Sequence, residues 1–128
     1  MEDHRARPHL PGRAAIDAYG AGGFRFADLS HRGSLLCLPS GMYAFAPTRF
    51  AEIDALALAP VLAEREDGIS FLLIGCGPRI ERVPEALRAR FRAAGIGIDA
   101  MDTGAACRTY NVMLGERRPV AAALLAVD

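Results

Sequence analysis

The chain reads as an α/β fold in which an antiparallel β-meander leads into alternating helices and strands. Two observations predict this. Between Ala15 and Pro47, short apolar runs are separated by glycine-containing turns, the pattern of neighbouring antiparallel strands. From Ile69 onward, apolar strand-like runs alternate with helical segments, which calls for parallel strands joined by right-handed crossovers. With 128 residues, 52% of them hydrophobic and 23% charged, the chain has the size and apolar content of one domain with its own core.

The elements follow in order. Residues 1–12, polar and twice interrupted by proline, read as a flexible tail, leaving 13–128 as a single domain. "AAIDAY" alternates weakly, and "GAGG" (Gly20 to Gly23) is a turn. "FRF" places Phe24 and Phe26 on one face of a strand and Arg25 on the other. "DLSHRGS" reads as a turn, "LLCLP" as an apolar strand, Ser40-Gly41 as a turn and "MYAFAP" as a further strand. The aromatic set Phe24, Phe26, Tyr43 and Phe45 is expected in the core. A short helix is expected from about Pro60 to Glu66, because proline suits a first helical position. "ISFLLIG" (Ile69 to Gly75) is apolar throughout, as a strand covered on both faces should be. "PEALRARFRAAG" is a helix bracketed by Pro84 and Gly95, with Leu87 and Phe91 four apart on its buried face. "IGIDAM" is a strand, "TGAACRTYNVMLGERR" a helix ending near Gly115, and "PVAAALLAV" a last strand whose alanines let a helix pack closely.

Charge and cysteine usage exclude several function classes. Fifteen basic and fifteen acidic residues give a formal net charge of +0, so binding of nucleic acid through bulk charge is not expected. All the basic residues are Arg, which fits the base composition of a GC-rich genome. Cys37, Cys76 and Cys107 have no CxxC spacing, and no metal site or cofactor is expected. The N-terminus lacks the apolar segment of a secretory signal, and the longest apolar run, Val120 to Val127, is too short to cross a bilayer. A bacterial cytoplasmic protein is the expectation.

Two stretches carry possible chemistry. In "LLIGCGPR" a buried strand ends in Gly75-Cys76-Gly77-Pro78, and ligands of open α/β sheets sit at the carboxyl ends of strands. The spacing matches neither a dinucleotide fingerprint nor a P-loop, so the glycines serve either a ligand's approach or the turn itself. In "MDTGAACRTYN", Asp102 or Thr103 is placed to cap the next helix, on which Thr103, Cys107 and Asn111 share one face. The helix N-terminus with Arg108 would favour an anion and would lower the pKa of Cys107. Against this, no histidine is fixed near Cys107 as a base, so a buried structural thiol competes with a nucleophile. Arg108 has two readings, an anion contact or an ion pair with Asp102 or Glu116. Asn111 and Tyr110 suit hydrogen bonds to the backbone of meander loops. The arginines from Arg79 to Arg92 read as a solvated helix exterior. The candidate pocket is therefore Gly75, Gly77, Asp102, Thr103, Cys107, Arg108 and Asn111, with no catalytic residue assigned.

"YGAGGFRF", "HRGSLLCLPSG", "LLIGCG" and above all "MDTGAACRTYNVMLGERRPVAAALL" resemble the Mth938-like family, over nearly the whole length from Ile16 to the C-terminus. The resemblance implies a three-layer α/β fold with a mixed central sheet and an added β-meander. The family has no defined activity and includes a mitochondrial assembly factor of respiratory complex I. It therefore implies protein partners in membrane-complex assembly, at the inner membrane through those partners. The alternative is a small-molecule- or anion-binding protein, or an enzyme, using the pocket between the Gly75–Gly77 loop and the start of the Thr103–Gly115 helix.

Overall fold

The computed structural model describes residues 10–64 and 68–128. A six-stranded mixed sheet forms its centre. It contains β1 (Leu10–Pro11), β5 (Ser34–Leu38), β6 (Gly41–Phe45), β7 (Phe71–Gly75), β8 (Gly97–Met101) and β9 (Val120–Leu124), in the order β1-β6-β5-β9-β7-β8. A separate three-stranded antiparallel sheet contains β2 (Ala18–Gly20), β3 (Gly23–Phe26) and β4 (Leu29–Arg32). The helices are α1 (Ala59–Ala63), α2 (Glu85–Ala93) and α3 (Thr103–Gly115), with a 3-10 turn at Phe50–Glu52.

The sheet is apolar on both faces because both are covered. Leu35, Cys37 and Leu73 pack with α3 and the three-stranded sheet, while Leu36, Leu38, Leu72 and Ile74 pack with α1 and α2. This gives the three layers expected. All four aromatics assigned to the core are buried. The parallel part is β8-β7-β9, with Leu73 opposite both Asp99 and Ala122, and β9 joins it to the antiparallel part by pairing with β5. Ala121, Ala122 and Ala123 are fully buried at this central position.

Some expectations need correction. The tail does not extend to residue 12, because Leu10 and Pro11 pair with Met42 and Gly41; residues 1–9 lie outside the described residues. "DLSHRGS" is not one turn. Ala27 and Asp28, both with positive φ, make a two-residue hairpin turn, and Leu29–Arg32 then pairs with β3. The short helix spans Ala59–Ala63; Glu64 is extended, and Arg65 and Glu66 lie outside the described residues.

Candidate functional site

Four of the candidate residues form a tightly knitted junction at the carboxyl ends of the parallel strands. Asp102 caps α3, its side chain accepting from the Ala105 N–H at 2.9 Å. Thr103, fully buried, follows it. Its hydroxyl donates to the Leu125 carbonyl at 2.8 Å and accepts from the Gly77 N–H at 2.9 Å. Its own N–H donates to the Gly77 carbonyl, and the Leu125 N–H donates to the Gly75 carbonyl. One hydroxyl thus ties together the ends of β7 and β9 and the start of α3. A Cβ at Gly75 would sit 3.0 Å from the Thr103 Oγ1 and 3.0 Å from a Leu124 methyl, so glycine is needed there for close approach. Gly77 has φ +98°, a conformation that L side chains rarely adopt.

These bonds consume most of what an anion at the start of α3 would use. The Thr103 and Ala105 N–H groups are engaged, and a Cβ at the intervening Gly104 would run into the Tyr19 ring.

The other three candidates diverge. Cys107 is 3% exposed, in the core layer that also holds Cys37, Leu73 and Leu124. Burial raises its thiol from the ordinary 9.0 to about 12; the Arg108 charge acts downward and is outweighed, and Asp102 adds to the rise. Of the two readings of Cys107, burial favours the structural core thiol over the nucleophile. His31, the one histidine among the described residues, directs its Nε2 to the Ser34 carbonyl at 2.8 Å. Arg108 is exposed and makes no ion pair among the described residues. Of its two expected acids, Asp102 caps the helix and Glu116 faces Arg118 at 3.6 Å. Asn111 holds the entry to the meander, donating to the Ile16 carbonyl and accepting from the Ile16 N–H, each at 2.8 Å. Tyr110 does not share that role. Its hydroxyl is buried beside Cys37 and, among the described residues, bonds to no loop backbone. Among the arginines expected to be solvated, Arg88 is partly buried and donates to the Ile98 carbonyl of β8 at 2.7 Å.

An open cleft of about 450 Å³ lies on the other side of the same junction. It is lined by three stretches of chain, the wall segment Thr48 to Ala51, the turn Cys76-Gly77-Pro78 and Leu125-Ala126, together with Glu81. Gly77 is the only candidate residue that lines it. The position has a topological cause. The chain leaves β7 through α2 to β8 on one side, then returns through α3 to β9 on the other, with the two helices on opposite faces. The cleft lies at the carboxyl ends of β7 and β9, the end of the sheet where ligands of such folds sit.

Six of the N–H groups that line the cleft are committed within the fold. The N–H groups of Thr48 and Arg49 go to Glu52, that of Cys76 to Met101, that of Gly77 to Thr103, that of Leu125 to Gly75 and that of Ala126 to Ser34. Pro78 has none. Glu52 thereby fixes the Thr48–Ala51 wall, and the bonds it accepts hold its carboxyl below the ordinary value. The wall was missed in sequence because it lies more than twenty residues from the rest of the cleft and carries no motif of its own.

A family model described as a protein of unknown function (DUF498/DUF598) matches residues 16–125. A Bartonella henselae crystal structure described as an outer membrane protein is 52% identical, with a TM-score of 0.88, over 94% of this chain and 100% of that one. A solution structure of a Bordetella pertussis protein, described as a Mth938-like domain, is 27% identical with a TM-score of 0.76, over 98% of this chain and 92% of that one. The Xenopus tropicalis NADH dehydrogenase [ubiquinone] 1 alpha subcomplex assembly factor 3 is 30% identical over 112 residues, covering 86% of this chain and 60% of that protein. This chain therefore spans less than two thirds of the assembly factor. Among the described residues, no helix is long and apolar enough to cross a membrane.

Proposed function

The chain belongs to the DUF498/DUF598 family, and from that membership we propose that it is a non-enzymatic interaction module that assists the assembly of a membrane protein complex, respiratory complex I being the first candidate. The similarity to the complex I assembly factor, over 86% of this chain, is the observation that carries the reading. The chemistry of α3 supports it. A nucleophile needs a populated thiolate and a base, whereas Cys107 is sealed in the core and His31 is engaged in the meander. The proposed place of action is the cytoplasmic side of the inner membrane, reached through protein partners.

Deleting the gene in its host and resolving the membrane complexes on a native gel tests the reading. The expected result is loss of intact NADH dehydrogenase complex and of its quinone-reducing activity, restored by a plasmid copy. Undiminished complex in the deletion strain would overturn it.

A further inference from the structure

The segment that enters the fold ahead of the meander carries an unanswered cation. Leu10 pairs with Met42, which is also the partner of Cys37, and Ile16 is held by Asn111. These two anchors bring the intervening Arg13 to the layer that holds Cys37 and Tyr110, in which its neighbour Ala14 also packs. Arg13 is half-buried. Its Nε and Nη2 atoms are covered, and no acceptor meets either of them. Among the described residues, no carboxylate comes within ion-pair distance of it. Tyr110 is 1% exposed, and its hydroxyl is likewise covered without a hydrogen-bond acceptor. Burial raises the pKa of that hydroxyl, the adjacent Cys37 adds to the rise, and the Arg13 charge acts downward, so the guanidinium and the hydroxyl are electrostatic neighbours. The Cys37 thiol beside them is a weak partner at best. Covered donors without acceptors are costly, and more so on a cation.

The chemistry of the missing group follows from the donors. The Nε–H and one Nη2–H bond of a guanidinium run parallel along one edge, the fork that takes both oxygens of a carboxylate. We propose that Arg13 and Tyr110 form a buried site for a small carboxylate ion of formate or acetate size, held by the Nε–Nη2 edge with the Tyr110 hydroxyl donating to one of its oxygens. The ligand brings the acceptors and the negative charge that the surrounding fold omits. It is small because the donors are covered, and it enters by displacing residues 13–15, which belong to no strand or helix. Chloride would supply the charge without the paired oxygens. The site is independent of the assembly role, since it is measured on the isolated chain with no partner present.

Arginine side-chain N–H resonances of the nitrogen-labelled protein test it, with sodium formate and sodium chloride as probes at matched ionic strength. Formate is expected to shift the Arg13 Nε–H resonance saturably and to raise the melting temperature by mass action, while chloride does neither. Arg13→Lys keeps the charge but loses the fork; it identifies the resonance by its absence and is expected to lose the formate-dependent stabilisation. Tyr110→Phe is expected to weaken formate by about tenfold, the size of one hydrogen bond to a charged group. No saturable shift with formate, chloride matching formate, or an undiminished formate effect in either variant would overturn the proposal. The formate and chloride arms use the wild type alone, so they decide the question whether or not the variants fold.

Discussion

The two sides of the β7–β9 junction are built from the same glycine turn, yet only one is open. On the α3 side, the Thr103 hydroxyl, the Asp102 cap and the Tyr19 ring occupy the positions where an anion would sit, and the one thiol is sealed beneath. On the other side, the Thr48–Ala51 wall stands off far enough to leave a cleft. The difference shows that a helix N-terminus beside a glycine turn is a binding site only if its N–H groups remain uncommitted. Here the fold uses them to fasten three elements together.

Thiol reactivity is the strongest way to break this contrast. Thiolate is the reacting species, and Cys107 is raised from 9.0 to about 12, so at neutral pH its thiolate fraction is about a thousandfold below that of an unfolded cysteine. Peptide mapping after alkylation of the native protein is expected to show Cys107 slower than in denaturant by at least that factor. Cys76, which lines the cleft, is expected to react first of the three, although burial raises its pKa as well. Cys107 reacting first would mean that the α3 side opens. The same shift sets a pH dependence. The unfolded thiol ionises from about pH 9 while the folded one keeps its proton toward 12, so stability contributed by Cys107 is complete below 9 and falls as pH rises through that window.

The second test removes the fastening. Thr103→Val keeps the shape but leaves the Gly77 N–H and the Leu125 carbonyl unpaired in a buried junction. At about 1–3 kcal/mol for each of the two orphaned groups, a loss of about 2–6 kcal/mol is expected, read as a fall in melting temperature on the order of 10 °C. A change under about 0.5 kcal/mol would mean that the junction does not depend on this hydroxyl.

The extent to which these features were legible in sequence follows from how local their causes are. The ends of α3 are local: Asp102 caps it and Gly115 closes it, where the sequence places both. The two-sided burial of β7 is equally plain in an unbroken apolar run. β4 was hidden because it is a mostly exposed edge strand of Leu29, Ser30, His31 and Arg32, whose polar residues imitate a turn. The site was half legible. Helical spacing put Thr103, Cys107 and Asn111 on one face, and that face is buried against the sheet and the Ile16 backbone. Spacing alone cannot say whether such a face meets solvent or core. The cleft's far wall is assembled from distant sequence, and only the folded chain brings Phe50 to Gly77 and Leu125.

The smallest expected effect sharpens the comparison most directly, because it concerns the residue with the strongest anion reading. Arg108 is exposed and has no ion-pair partner among the described residues, so Arg108→Ala removes only a solvated charge one position from Cys107. A stability change within about 0.5 kcal/mol is expected. Thermal unfolding in millimolar phosphate separates the two readings. If the start of α3 held an anion, phosphate would stabilise the wild type by mass action and Arg108→Ala would lose that gain. With the Thr103 and Ala105 N–H groups committed, equal phosphate shifts in the two proteins are expected. A phosphate-dependent gap between them would show that Tyr19 swings clear of Gly104 and that the α3 side is the true binding face.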